Sequence, residues 1–161
     1  MYGLPGRIVS SNTANIAFPE RDCRNDCTGQ GYTWIVFELT LSSSFSAAHA
    51  LVIKGVREPV HGHDWQVEAT FRGDSLDEDG LLLDFHALEA DLEAVIGPFR
   101  TSDLNASPAF RDLNPSAEEV ARLIGRQLLD RLPGHVSLAR ISVTEAPGCK
   151  AAWLPEGHGD R

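Results

Sequence analysis

Three histidines stand in the stretch of sequence with the clearest potential for chemistry. His49 closes the run Phe-Ser-Ala-Ala-His, and His61 and His63 flank a glycine twelve residues further on. Side chains two residues apart in a β-strand point to the same face, so His61 and His63 can bind one ion together. With His49 as a third ligand from a neighbouring strand, the set would form a catalytic zinc site with one open position, where the metal polarises substrate oxygens. The alternative is a pair of ordinary strand histidines, because histidine is also a common interior residue.

Alternating patterns predict the strands that would position these rings. A first strand is predicted from Trp34 and runs into His49. A second begins near His61, and one of its faces carries His61, His63, Trp65, Val67, Ala69 and Phe71. An unpaired polar group on such an apolar face costs about 1–3 kcal/mol, so a bound cation or a dense hydrogen-bond network is expected around the rings.

Two amphipathic helices are predicted after these strands. Asp84 is a plausible N-cap of the first, which ends at Gly97-Pro98, and Ser116 has capping-box spacing to Glu119 at the start of the second. The predicted buried stripe of the first helix is Phe85, Leu88, Leu92, Val95 and Ile96, and that of the second is Val120, Leu123, Ile124, Leu128 and Leu132.

The last strands place a carboxylate among apolar residues. Ala139, Ile141, Val143 and Glu145 share one face of a strand that starts at Val136, and a short strand follows around Ala151 to Leu154. The order β β α α β β predicts an α+β domain, in which an antiparallel four-stranded sheet carries two helices on one face. Pairing the sheet edges with other subunits would remove exposed backbone groups.

Length and composition restrict the class of protein. We expect an N-terminal arm at 1–32, one domain at 33–155 and a tail at 156–161. The net charge of −9 makes nucleic acid an unsuitable partner, and no apolar run approaches the ~20 residues of a membrane span or resembles a signal peptide, so we expect a soluble cytoplasmic protein. Cys23, Cys27 and Cys149 are odd in number and are interpreted as free thiols, with Cys149 buried. The alternatives are a metal held by Cys23 and Cys27, although no second pair follows them, and a Cys149 thiol that approaches the pocket.

Five motifs in the same order resemble the 6-pyruvoyltetrahydropterin synthase family, which includes the 6-carboxytetrahydropterin synthases of queuosine synthesis. The resemblance covers about residues 34 to 154. The motifs are Phe45–His49, His61–His63, Gly80–Phe85, Pro115–Glu118, and Glu145–Pro147 with Ala151 and Trp153.

The resemblance implies a fold, an assembly and a site. The fold is the tunnelling fold, in which three subunits join their sheets into a barrel and two rings stack into a homohexamer, a dimer of trimers, with sites at the subunit interfaces. The implied site has Zn²⁺ on His49, His61 and His63 and a pterin ring held by Glu145, whose carboxylate can accept two hydrogen bonds from the amino-pyrimidine edge. Ser116 resembles the family's threonine that helps hold the pterin edge, and it can also be a plain helix cap.

Two departures concern the proton chemistry. Family members carry a catalytic cysteine shortly before His-Gly-His, whereas this chain has Glu58, as in a subgroup associated with side-chain cleavage of dihydroneopterin compounds. Glu58 is a candidate general base, and the alternative is a solvated loop charge. The family's Asp-His pair is absent ahead of Leu104-Asn105. Asp103 could substitute for it only if the loop were shifted.

The resemblance therefore implies a zinc-dependent lyase acting on a dihydropterin such as 7,8-dihydroneopterin triphosphate. Its product would be a 6-pyruvoyl- or 6-carboxytetrahydropterin, or 6-hydroxymethyldihydropterin after side-chain cleavage, and its place would be tetrahydrobiopterin, queuosine or folate biosynthesis. The alternative is a pterin- or purine-binding homologue that has lost the synthase chemistry. A third interpretation is a purely structural barrel former without a metal.

Overall fold

The computed structural model describes residues 36–155, which contain seven strands, two α-helices and three short 3₁₀ helices. The strands are β1 (Phe37–His49), β2 (Val52–Ile53), β3 (Val56–Arg57), β4 (His61–Gly73), β5 (Ser102–Asp103), β6 (Ser137–Ala146) and β7 (Cys149–Trp153), and the helices are α1 (Phe85–Ile96) and α2 (Ala117–Leu129). The predicted arm and tail, with Cys23 and Cys27, lie outside the described residues.

The main sheet has the strand order β5-β1-β4-β6-β7, and every pairing in it is antiparallel except that of β5 with β1. The α+β class and the four long strands agree with the sequence-based prediction, but the predicted strand count of four is wrong. β5 adds a fifth strand, and β2 and β3 form a separate small hairpin in the connection between β1 and β4. Two-residue strands are too short to produce a recognisable alternation.

β1 and β4 form the framework that positions the histidines. They pair without interruption over thirteen residues each, and the register sets His49 opposite His61, and Ala47 opposite His63. Because facing residues of an antiparallel pair project to the same side of the sheet, this register brings all three imidazoles to one end of one face.

Both helices lie on the face that bears Trp65, and they bury the core between themselves and the sheet. Asp84 and Ser116 cap the two helices as predicted: Asp84 accepts from the His86 N–H, and Ser116 from the Glu119 N–H. Phe85, placed in the buried stripe by periodicity, is 49% exposed because it is the first residue of α1, at the end of the helix. Within 36–155, no helix is long and apolar enough to cross a membrane.

The buried face of β6 departs from simple alternation at one point. Thr70 pairs with Arg140 but Phe71 pairs with Leu138, so Ala139 is an extra residue in the ladder. This bulge turns Leu138 into the core, while Ile141, Val143 and Glu145 keep the face that alternation predicts. Cys149, expected to be buried, is exposed in β7, next to the turn that joins it to β6.

Candidate metal centre and active site

Four side chains converge at the end of the β1–β4 pair. His49, His61, His63 and Glu145 each offer one ligand atom, and these atoms all lie within 4.8 Å of one another. His49 is fully buried, His63 and Glu145 are half-buried, and His61 is exposed. The structure therefore brings together the three predicted metal ligands and the predicted substrate-binding carboxylate.

Backbone carbonyls set the orientation of two of the rings. The Nδ1 atom of His49 lies 2.8 Å from the carbonyl oxygen of Pro115, and that of His61 lies 2.9 Å from the carbonyl oxygen of Pro59. A carbonyl oxygen can only accept, so each Nδ1 carries the hydrogen and donates it. In the neutral rings the Nε2 atoms then hold lone pairs, which is the tautomer that a metal ligand requires.

The electrostatics of the cluster call for a cation between its members. Oε1 of Glu145 lies 3.0 Å from Nε2 of His49 and 3.3 Å from Nε2 of His63. Both nitrogens are buried, and neither makes a hydrogen bond with any group in residues 36–155, despite the short distances. A carboxylate oxygen that faces an unprotonated Nε2 places two hydrogen-bond acceptors side by side with no hydrogen between them, which is unfavourable. A cation bound by both atoms would remove this repulsion. Three imidazoles and a carboxylate are ligands that zinc accepts, so the residues fit the ion that the resemblance implies.

The protonation of His63 favours the same state. Burial lowers the pKa of His63 below its usual value; Glu145 opposes that shift, and the neighbouring His49 and His61 add to it. A lowered pKa keeps the ring neutral at physiological pH, and a neutral ring is the form that binds metals.

The remaining candidates, Glu58, Asp103 and Ser116, lie outside the group of ligand atoms. Oε2 of Glu58 accepts a long hydrogen bond of 3.4 Å from the Leu51 N–H, and the side chain is half-buried. Asp103 accepts from the Asn105 N–H at 2.9 Å and caps a short 3₁₀ turn. Ser116 begins α2 directly after Pro115, the residue that holds His49.

An open cleft of about 500 Å³ lies beside the cluster at the edge formed by β1 and β5. His63 is the metal-cluster residue that lines it, and Asp103 lines it as well. Ser46 donates a short hydrogen bond to Asp64 across the β1–β4 pair in the same cleft. Because Ser46 and Asp64 alternate along their strands with Ala47 and His63, their side chains project to the sheet face opposite the three imidazoles, and the cleft opens mainly on that face.

Comparison with known proteins decides the family. The model of a family described as 6-pyruvoyl tetrahydropterin synthase matches residues 38–156, far more than half of the chain. The chain belongs to this family. Its relatives include the dihydroneopterin monophosphate aldolase of Pyrococcus furiosus, 33% identical over 113 residues, which cover 69% of this chain and 93% of the relative. They also include the 6-carboxy-5,6,7,8-tetrahydropterin synthase of Bacillus subtilis, 31% identical over 132 residues, which cover 76% of this chain and 88% of the relative.

Solved structures of the family share the fold. The 6-pyruvoyl tetrahydropterin synthase of Caenorhabditis elegans superposes with a TM-score of 0.66 at 19% identity, covering 78% of this chain and all of the other. A variant of the Plasmodium vivax 6-pyruvoyltetrahydropterin synthase, in which alanine replaces a glutamate described as a catalytic residue, has a TM-score of 0.61 at 25% identity and covers 74% of this chain and 97% of its own.

Several groups that support the site in this family member were not identified from sequence. The carbonyls of Pro59 and Pro115 are backbone groups and carry no residue signature. Asn105 and Asn114 bind the backbone of the segment that follows His49. Asparagines in loops are typical turn residues, so their type and spacing gave no reason to connect them with a histidine more than fifty residues away.

Proposed function

We propose that the chain is a zinc-dependent lyase that cleaves the side chain of a dihydroneopterin phosphate. The observation that carries this proposal is the acceptor-rich cluster of three histidines and Glu145 in a member of a pterin-processing family. The similarity to a dihydroneopterin monophosphate aldolase, at 33% identity, supports a phosphorylated dihydroneopterin as the substrate and carbon–carbon cleavage as the reaction.

His49, His61 and His63 would hold the ion through their Nε2 atoms, with a position left for substrate. When bound there, Zn²⁺ supplies Lewis acidity toward the side-chain oxygens of the substrate. Pro115 and Pro59 keep two of these rings in the required tautomer.

Glu145 is assigned to the pterin ring in this proposal. Its carboxylate accepts two hydrogen bonds from the N–H groups of the amino-pyrimidine edge, a bidentate geometry that also fixes the distance between ring and histidines. Its Oε1 lies 3.0 Å from Nε2 of His49, which is also a distance between two ligands of one ion, so a fourth-ligand role competes with this assignment and the Glu145→Gln variant separates the two. Ser116, next to Pro115, is assigned to the edge of the same ring.

Glu58 is assigned as the general base. It would remove the proton from the 2′ hydroxyl of the substrate side chain; the bond between C1′ and C2′ then breaks as a carbonyl forms at C2′. The ring imine takes up the electron pair, and C1′ receives a proton, which yields the 6-hydroxymethyl product. The Plasmodium vivax relative, in which a glutamate is described as a catalytic residue, supports a carboxylate as the catalytic group. Asp103, engaged with the Asn105 N–H, remains a weaker candidate for proton transfer.

The assembly is proposed to be the barrel-forming homohexamer of the tunnelling fold, with sites at subunit interfaces. Among residues 36–155, β7 pairs on one side only, and β5 covers β1 only at Ala47 and Ala48. Such open edges favour pairing with further subunits. Light scattering coupled to size-exclusion chromatography tests this, since a stable monomer would contradict it.

A pterin-binding homologue without synthase chemistry is the second candidate. The absence of both the family's cysteine and its Asp-His pair favours it, as does the hydrogen bond that Glu58 makes with the Leu51 N–H. Incubation with dihydroneopterin monophosphate and triphosphate, followed by mass identification of products, separates the two. The lyase proposal predicts 6-hydroxymethyldihydropterin and a Glu58→Ala variant that binds substrate but turns it over at least about a hundredfold more slowly. Ligand binding with no product from the wild type would support the binding protein.

A further inference from the structure

The segment that follows His49 is held by side-chain amides on one side. Asn105 receives a hydrogen bond from the Ala50 N–H on its Oδ1 at 2.7 Å and donates from its Nδ2 to the Ala50 carbonyl at 2.8 Å. Asn114 does the same with Val52, at 2.9 and 2.8 Å. Each amide therefore pairs with both backbone groups of one residue, as a neighbouring strand would.

The residue between them points its backbone groups to the opposite side. The Leu51 N–H donates to the carboxylate of Glu58 at 3.4 Å, and the Leu51 carbonyl accepts from the Glu58 N–H at 2.9 Å. Residues 50 to 52 thus alternate like a central strand, with asparagine side chains on one edge and Glu58 on the other.

The residues in these contacts adjoin the metal cluster at two places, next to His49 and next to the support of His61. Ala50 directly follows His49, whose ring is bound to the carbonyl of Pro115, and Pro115 directly follows Asn114. At the other end, Glu58 precedes Pro59, whose carbonyl holds the ring of His61. The segment consequently connects the buried ligand, the candidate base and the support of a second ligand.

We propose that Asn105 and Asn114 are positioning residues of the active site, which hold segment 50–52 so that His49 and Glu58 keep a fixed separation. Neither asparagine belongs to the ligand cluster, and this inference rests on the proposed function for the roles of those two groups. Loss of Asn105 should mainly displace His49, which directly precedes Ala50. Loss of Asn114 should mainly displace Val52 in the β2–β3 hairpin, and with it Glu58. A merely structural role would instead lower stability and leave metal affinity and turnover of the folded protein unchanged.

The test uses substitutions that keep shape and remove a donor. Asn105→Asp and Asn114→Asp each retain the acceptor for a backbone N–H but set a carboxylate oxygen against a backbone carbonyl. Ser137→Ala is the matched control, since it removes an exposed side-chain bond to the Arg72 carbonyl at the far end of β4. Zinc affinity is measured by competition with a chromogenic chelator, and kcat and KM are measured with dihydroneopterin monophosphate as the substrate. Amide exchange of residues 50–58 is followed by mass spectrometry.

We expect Asn105→Asp to weaken zinc binding about tenfold, as loss of support around a ligand does. Asn114→Asp should lower kcat at least about tenfold and change KM less than about threefold, because small misplacements of a catalytic group act mainly on the chemical step. Both should exchange faster over 50–58 than the control. Wild-type values of zinc affinity and kcat in both folded variants would overturn the inference.

The two proposals fail in different ways. If the wild type neither binds zinc nor turns over substrate, the proposed function fails, and amide exchange alone decides the present inference. Unchanged protection of residues 50–58 in both variants would then refute it. Lost protection would show that the two asparagines hold this segment. Should Asn105→Asp fail to fold, Asn114→Asp carries the test, because Asn114 is exposed.

Discussion

Zinc should stabilise the metal-free protein by an amount that follows from mass action, because two buried nitrogens of the cluster are without a hydrogen-bond partner in the described part of the chain. The buried Nε2 atoms of His49 and His63 have no hydrogen-bond partner within residues 36–155, and each such group costs about 1–3 kcal/mol when unsatisfied. An ion that binds only the folded state adds about 2.7 kcal/mol at a free concentration of roughly 100 times its Kd. For a chain of 161 residues, 1 kcal/mol moves Tm by about 2–4 °C, so the expected rise is roughly 5–11 °C.

The discriminating variant is His61→Ala. His61 is exposed, so its removal leaves the core intact, yet it deletes one of the three proposed ligands. Loss of a ligand should weaken binding by more than the 10–100-fold that loss of a supporting contact produces. At the same zinc concentration the stabilisation then falls below about 0.5 kcal/mol, or roughly 1–2 °C.

Differential scanning fluorimetry after chelation and zinc titration measures both shifts, and His135→Ala, at an exposed histidine outside the cluster, is the control. A zinc-dependent rise of the same size in His61→Ala as in the wild type would refute the assignment of the site. A wild-type rise of less than about 1 °C at saturating zinc would refute it as well.

Further predictions concern single groups. Because folding lowers the pKa of His63, the unfolded state binds more protons than the folded state. The metal-free protein should therefore lose stability as the pH falls below about 6.5. In urea titrations, His63→Gln should weaken this dependence of the free energy of unfolding on pH. Glu145→Gln should raise the KM for the pterin about tenfold or more, because the substrate loses a charged acceptor. Zinc affinity should change less than about threefold. A larger loss of zinc affinity would instead make Glu145 a metal ligand. Gly125→Ala would push a Cβ into the Trp153 ring, and overpacking costs about 1–3 kcal/mol. It should therefore lower the free energy of unfolding although alanine gains about 1 kcal/mol in helix propensity. Gly134→Ala, with open space around it, should change the free energy of unfolding by less than about 0.5 kcal/mol.

The parts of the site that follow from local periodicity were predictable. Alternation put His61 and His63 on the apolar face of one strand and Glu145 on that of another, and the register of β1 and β4 confirms that His49 joins them. The caps at Asp84 and Ser116 were predictable for the same reason, since a cap and the N–H it binds are two or three residues apart.

Contacts between distant loops were not predictable. The Pro115 carbonyl meets His49 across 66 residues, and the Asn105 and Asn114 amides meet Ala50 and Val52 across 55 and 62. Such contacts involve backbone groups or common loop residues, and they depend on the tertiary arrangement of α2 and the loop before it rather than on any repeating pattern. The two-residue strands β2, β3 and β5 escaped prediction because alternation needs a longer run.

The most direct test of the account is turnover measured before and after removal of the metal. Protein purified and stripped by a chelator, then reconstituted with zinc at one equivalent per chain, is assayed with dihydroneopterin monophosphate under identical conditions. Stripped protein should form 6-hydroxymethyldihydropterin at least about a hundredfold more slowly, and zinc should restore the rate in the wild type but not in His61→Ala. Equal turnover by stripped and reconstituted protein would contradict this prediction.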